Sequence, residues 1–245
     1  MARFYLTMHN AFPFTFDNLE EYYVAAIEFG YEIMTCFDYT KRKKSLPPLT
    51  IINRVDIDLS MSKAERLCNI FNQIGIKATF FVRLHAKEYN PFSFENYRIL
   101  KYIQQSGHEI GYHSEIIDQS FIWNENPEDC LKRDIQILNR LLETEIQGIA
   151  SHGGLTGLNN LDFWKNEKPK NFGVLYEAYE ESGAFNLFKN SFYISDSEWT
   201  AWKCYDHGKL QINDKRTPLE HFKRLHPKIY MLIHPDTYYD RHIYE

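Results

Sequence analysis

The chain alternates short apolar segments with longer segments in which apolar residues recur at helical spacing. Segments 19–27, 64–74 and 131–142 place their apolar residues on one face, which predicts helices that pack against a sheet. The strand candidates are rich in β-branched and aromatic residues: 33–37, 49–55, 78–82, 108–112, 147–150 and 229–233. Strands that alternate with helices predict an α/β fold built on a parallel sheet.

Polar residues directly follow four of the predicted strands: Asp56, Asp58, His113, His152 and His234. The carboxyl ends of the strands in a parallel barrel share one rim, so we expect these side chains to converge there. Residues 153–216 fit no single long period, and we expect them to decorate the same rim.

Composition narrows the class of protein. With 245 residues, 44% hydrophobic and 16% aromatic, the chain can form one α/β domain over 1–245 with a large core. The formal net charge is −5 and the longest basic block is residues 41–44, which argues against nucleic acid or a membrane surface as the main partner. The four dispersed cysteines, the absence of a signal-like N-terminus and the lack of a long apolar run predict a cytoplasmic protein without a membrane span.

The residues after the strands are of types that bind metals and transfer protons. Asp56 and Asp58 stand two apart, so in extended backbone both point to one face, where a cation relieves their repulsion. One carboxylate can then bind the metal while the other acts as a base, although a solvated strand end or a helix N-cap also explains the pair. His113 and His152 are of the residue type that binds zinc. His234 can act as a general acid, or it is an ordinary polar residue at the end of a strand.

Three motifs together resemble the polysaccharide deacetylase family, also called the NodB-homology family or carbohydrate esterase family four. They are Asp56-Ile57-Asp58, Ala78-Thr79-Phe80-Phe81-Val82 and the segment Gly107 to His113, in the same order and at similar spacing. The resemblance covers roughly residues 49–154, and Leu232-Ile233-His234 is similar to the final motif of the family. It implies a distorted, TIM-like (β/α) barrel of about seven parallel strands and a metal-dependent deacetylase that uses one divalent ion, zinc.

The resemblance also implies roles for individual residues. Asp56 matches the general base, Asp58 a metal ligand, His113 the first metal histidine and His234 the acid that protonates the leaving group. Residues 193–197, with a nearby tryptophan, are loosely similar to a further Asp-and-Trp motif of the family.

One family position is changed in this chain. The second metal histidine lies four residues after the first, and Ile117, which cannot bind a metal, occupies that place. We predict that His152, in Ser151-His152-Gly153-Gly154, replaces it and restores a set of Asp58, His113 and His152. Glu115 and Asp118 are the rival third ligands.

These features predict a metal-dependent hydrolase that cleaves a carbon–nitrogen amide bond to deacetylate a sugar. The Asp-x-Asp form resembles the cytoplasmic branch associated with surface-polysaccharide or O-antigen biosynthesis, which implies a carbohydrate or nucleotide-sugar-like substrate. Two alternatives stay open: an inactive carbohydrate-binding member of the same fold, and a metal-dependent amidase that acts on a non-sugar substrate.

Overall fold

The structure is a computed structural model that describes residues 12–181, 183 and 185–244. The helices within this part are α1 Phe16–Glu28, α2 Cys36–Arg42, α3 Met61–Ile74, α4 Phe94–Gln105, α5 Ile116–Trp123, α6 Pro127–Leu142, α7 Leu187–Asn190 and α8 Pro218–Phe222. The strands are β1 Glu32–Met34, β2 Thr50–Ile57, β3 Thr79–Val82, β4 Glu109–Ser114, β5 Gly148–Ser151, β6 Tyr176–Glu177, β7 Phe192–Ser195, β8 Lys203–Asp206, β9 Lys209–Leu210 and β10 Lys228–Ile233.

These strands form one large, mostly parallel sheet. Its order is β6-β5-β4-β3-β2-β10-β7-β8-β9, with β1 also paired to β2, and only the pairs that involve β8 are antiparallel. The prediction of an α/β fold with a parallel sheet is therefore confirmed. The expected closed barrel of about seven strands is not seen: the described part has ten strands, and its backbone pairing does not join β6 to β7. Side chains bridge that opening instead, with the hydroxyls of Tyr179 and Tyr193 3.2 Å apart.

All six predicted strands are present, each within a few residues of its predicted bounds, and the three predicted helices correspond to α1, α3 and α6. The prediction for residues 153–216 was wrong in part, because this segment contributes β6 and β7 to the sheet as well as loops. Those strands are two and four residues long, which is too short to show a clear alternation of apolar and polar positions.

Strand β2 lies inside the sheet and all of its residues are buried, polar ones included. Side chains alternate between its two faces. On one face Ile51 and Val55 join the outer core beneath the helices, while on the other Ile52 packs in an inner cluster with Phe81 and Tyr230. The alternation places residues 54, 56 and 58 on the inner face, so the strand delivers its charged residues to the interior of the fold.

The turn after β2 shows which residue caps α3. The Ser60 side chain accepts the first-turn N–H of Lys63, and Gly75 ends the helix in the left-handed conformation, at φ 76°. Since Ser60 is the N-cap, the capping alternative for the Asp-x-Asp pair is excluded.

Within the described residues, no helix is both long and apolar enough to cross a membrane.

The close approach of β5 and β6 yields the first prediction. A methyl group at Gly148 would overlap the ring of the fully buried Tyr176, whereas a methyl group at Gly153 would meet nothing within 4 Å. Overpacking a well-packed core costs about 1–3 kcal/mol, so we expect Gly148→Ala to lower the free energy of unfolding by about that amount. Denaturant unfolding with Gly153→Ala as the control tests this, and equal stability of the two variants contradicts it.

Candidate metal centre

The residues predicted to converge do so at the carboxyl ends of neighbouring strands. Asp58 follows β2, His113 lies near the end of β4, His152 follows β5 and His234 follows β10. The sheet order places β5 beside β4, and pairing of His113 with Ala150 aligns their ends. One ligand atom from each of Asp58, His113 and His152 lies within 4.8 Å of the other two.

The spacing of these three groups matches a metal site. Asp58 Oδ1 lies 3.3 Å from His113 Nε2 and 3.6 Å from His152 Nε2. The two imidazole rings are nearly perpendicular, at 86°, so they approach the carboxylate from different directions. Nitrogen and oxygen ligands of a tetrahedral zinc ion stand about 3.3–3.4 Å apart, since each lies about 2.0–2.1 Å from the metal. The two separations from Asp58 Oδ1 are therefore close to the edges of a tetrahedral site.

The electrostatics of the cluster also fit a cation. Asp58 Oδ1 is buried and has no hydrogen-bond partner, an arrangement that costs free energy unless a cation neutralises the oxygen. Burial alone lowers the pKa of His113, but the charges of Asp56 and Asp58 outweigh it and raise that pKa above its usual value. The centre thus attracts positive charge, and its Asp-His-His donor set suits a divalent ion such as zinc.

Each histidine is oriented from behind by a second contact. His113 Nδ1 donates to the carbonyl of Ala150 at 2.9 Å, which leaves the lone pair of Nε2 directed at the centre. His152 extends the ladder beyond β5, because its backbone N–H donates to Ser114 at 2.9 Å. Its Nδ1 lies 3.2 Å from Glu115 Oε1. The hydrogen bond to Ala150 fixes the His113 ring before any ligand binds, whereas His152 Nδ1 is buried near Glu115 without a hydrogen bond.

The two rival ligands have other positions. Glu115 lies behind His152, where Arg83 Nη2 donates to its carboxylate at 2.8 Å. Asp118 accepts the backbone N–H groups of Leu155 and Thr156, both at 2.9 Å, and the side-chain amide of Asn160 at 2.7 Å. Both oxygens of Asp118 are thus used to hold the loop that follows His152. Of the three rivals, the structure brings His152 to face Asp58 and His113.

Asp56 lies beside the centre and is tied to an arginine on its own strand. Arg54 Nε and Nη2 donate to its two oxygens at 2.8 and 2.6 Å, and Asp56 Oδ2 lies 3.4 Å from His113 Nε2. Burial raises the pKa of Asp56, but the Arg54 guanidinium, with smaller contributions from nearby histidines, holds it below its usual value. Asp56 is therefore an ionised, rigidly oriented carboxylate. The role of Arg54 was not predicted from the sequence, although its position two residues before Asp56 indicates that the two side chains share one face of the strand.

His234 is held by an aspartate on the neighbouring strand. Its Nδ1 donates to Asp196 Oδ1 at 2.6 Å and its backbone N–H donates to Asp196 Oδ2 at 2.9 Å. Burial lowers the pKa of His234, but the charge and hydrogen bond of Asp196, with the nearby aspartates, raise it to about 9. The opposite ring nitrogen, Nε2, lies 3.9 Å from Asp58 Oδ2. A protonated imidazole is therefore directed at Asp58.

The centre opens into a cleft of about 440 Å³. Its lining includes Asp58, Leu59, Arg83, His85, His152, Leu155 and Trp199. The Trp199 ring is 41% exposed and lies nearly parallel to the His234 ring, with centroids 6.4 Å apart. Trp202, by contrast, is buried in the core. A half-exposed indole beside polar groups is a surface on which a sugar ring can stack.

Comparisons with known proteins give limited similarity. No family model and no curated protein matches the chain. The solved structures that resemble it include the Streptococcus pyogenes deacetylase PplD in complex with acetate, at 16% identity and TM-score 0.42 over 55% of this chain and 61% of that one. They also include a CE4 family pseudoenzyme from Bacillus anthracis, at 17% identity and TM-score 0.41 over 78% of this chain and 60% of that one. A mutant of that pseudoenzyme with restored enzymatic activity gives 16% identity and TM-score 0.42, over 78% and 62%. The chain spans about three fifths of each of these structures.

Proposed function

We propose that this protein is a metal-dependent deacetylase that hydrolyses an amide on a sugar-type substrate. Asp58, His113 and His152 hold one zinc ion, Asp56 is the general base and His234 is the general acid. The observation that carries the proposal is the buried, unpartnered Oδ1 of Asp58, which faces two imidazole nitrogens at 3.3 and 3.6 Å. An ionised carboxylate oxygen buried in that position costs free energy unless a cation neutralises it.

The two proton-transfer groups stand on different sides of this centre. Zinc, when bound, polarises the acyl carbonyl and makes water a better nucleophile. Asp56 accepts the proton of the attacking water, and Arg54 keeps it ionised and correctly turned for that task. His234, oriented by Asp196, donates a proton to the departing amine. Arg54 and Asp196 are positioning residues, since each acts through its partner.

Two features support a sugar as the group that carries the acetyl. Trp199 offers an aromatic face at the mouth of the cleft, and the remaining lining mixes polar and apolar side chains. The resemblance of the Asp-x-Asp motif further suggests a role in surface-polysaccharide biosynthesis within the cytoplasm, with a carbohydrate or nucleotide-sugar-like substrate. A screen of acetylated sugars against small acyclic and cyclic amides distinguishes this from a non-sugar amidase.

Removal of the third ligand tests the metal centre. We expect His152→Ala to lose one zinc per chain relative to the unmodified protein, because two ligands hold zinc much more weakly than three. His85→Ala, in the same cleft, is the matched control and should keep its zinc. Metal analysis after gel filtration provides the measurement. Unchanged zinc content in His152→Ala would exclude this residue as a ligand.

Removal of the base tests the chemistry separately from the metal. We expect Asp56→Asn to reduce kcat for acetate release from an acetylated sugar by roughly 10²–10⁴-fold, the usual contribution of a general base. Its zinc content should stay as in the unmodified protein. If the unmodified, zinc-loaded protein binds such sugars but releases no acetate, the inactive binding alternative is correct instead.

The Asp196–His234 pair predicts a change in the pH profile. A general acid must be protonated, so activity falls as the pH rises through the pKa of His234. Asp196 raises that pKa, and we expect Asp196→Asn to move the alkaline limb of kcat toward lower pH as well as to reduce its maximum. Ser197→Ala, an exposed neighbour, is the control. An alkaline limb that stays in place shows that His234 is not the acid.

A further inference from the structure

A second group of possible ligands lies on the other side of the sheet. Cys204 is on β8, Asp214 is in the loop after β9, and His221 is on α8. One ligand atom from each lies within 4.8 Å of the others. Cys204 pairs with Ile194, and both belong to the outer core beneath the helices. The deacetylase residues of β2 face the inner side, so the two groups are separate.

The contacts converge on a single nitrogen. His221 Nε2 lies 3.4 Å from Cys204 Sγ and 3.5 Å from Asp214 Oδ1. Around a tetrahedral zinc ion, a sulfur and a nitrogen ligand stand about 3.5 Å apart and an oxygen and a nitrogen ligand about 3.3 Å apart. Cys204 and His221 are fully buried, and the Asp214 side chain is only 10% exposed. Both measured separations therefore agree with edges of one tetrahedron.

This arrangement is not that of a catalytic triad. In a triad the nucleophile faces one imidazole nitrogen and the acid faces the other. Here Sγ and the carboxylate oxygen both face Nε2 of His221, and one nitrogen carries at most one proton. Asp214 Oδ1 also accepts from Arg216 Nε at 2.8 Å, and a cation placed between the three ligand atoms would contact all of them.

Neighbouring residues hold the side chains of His221 and Asp214 in orientations that suit metal ligands. His221 Nδ1 lies 3.5 Å from His226 Nε2, and the His226 ring stacks on Phe192 with centroids 4.1 Å apart. This contact fixes the ring and directs Nε2 toward the sulfur. Arg216 donates to Asp214 in the manner of an outer partner that orients a ligand carboxylate.

We propose that Cys204, Asp214 and His221 form a second metal site, a structural zinc site whose fourth position is filled by water. Thiolate, carboxylate and imidazole are a donor set that selects zinc over calcium or magnesium. The ion joins β8, the loop after β9 and α8, which have few other polar links among the described residues. Binding breaks the S–H bond of Cys204, forms a zinc–sulfur bond and releases one proton to solvent, so zinc affinity rises with pH.

Cobalt substitution distinguishes this site from the deacetylase centre, because only this one contains sulfur. We expect the metal-free protein, titrated with Co²⁺, to develop a near-ultraviolet thiolate-to-cobalt charge-transfer band. The band should disappear in Cys204→Ala and persist in His152→Ala. Cys130→Ala, which removes another buried cysteine, is the matched control. Zinc analysis should show two ions per chain, reduced to one in Cys204→Ala.

Two results overturn this proposal and leave the deacetylase proposal standing: no charge-transfer band in the unmodified protein, or an equal band in Cys204→Ala. Should Cys204→Ala fail to fold, Asp214→Asn offers a milder change, since it keeps the shape of the side chain but removes its charge. That variant should lower the affinity for Co²⁺, measured by titration of the charge-transfer band, by tenfold or more. An unchanged affinity contradicts the proposed site. Loss of zinc only in His152→Ala would support the deacetylase centre alone.

Discussion

The inner face of β2 carries the buried charges of Arg54 and Asp56 and leads to the partly buried Asp58, and the compensation of these charges determines the rest of the site. Arg54 is fully buried, and an unpaired cation there would be too costly, so it takes both oxygens of Asp56. Arg83 and Glu115 compensate each other in the same way. When His234 is protonated, it balances Asp196. Each of these pairs is neutral, whereas Asp58 Oδ1 has no hydrogen-bond partner among the described residues.

That imbalance explains why a divalent ion fits better than a proton. A proton shared between Asp58 and one histidine would leave the second imidazole, 3.6 Å away, without a role. A zinc ion bound there would contact the carboxylate and both imidazoles at once, and each contact would contribute in a region of low dielectric constant. The histidines need to be neutral and turned inward for this purpose. The carbonyl of Ala150 orients His113 through a hydrogen bond, and the carboxylate of Glu115 lies 3.2 Å behind His152.

The sequence predicted much of this arrangement, because parallel strands end at one rim and several ended in Asp or His. It predicted the strands, the convergence and the choice of His152 as the residue to face Asp58. It could not assign Glu115 or Asp118, because the register between strands and the path of a loop determine where those carboxylates point. Both had been rival ligands, yet one supports His152 and the other holds its loop. The ion pair between Arg54 and Asp56 could not be predicted either, because the sequence does not show that the face of β2 that carries both residues is buried.

The position of His152 just beyond a strand end also explains the loop after β5. A histidine at residue 117 would be carried by α5, whereas His152 lies where the strand passes into a loop with two glycines. A ligand there needs support, because loop backbone is mobile unless its polar groups are satisfied. Asp118 supplies that support through Leu155, Thr156 and Asn160, and Asn160 in turn donates to the carbonyl of His152. Helix α5, which carries Ile117, therefore holds the loop of His152 in place through the neighbouring residue, Asp118.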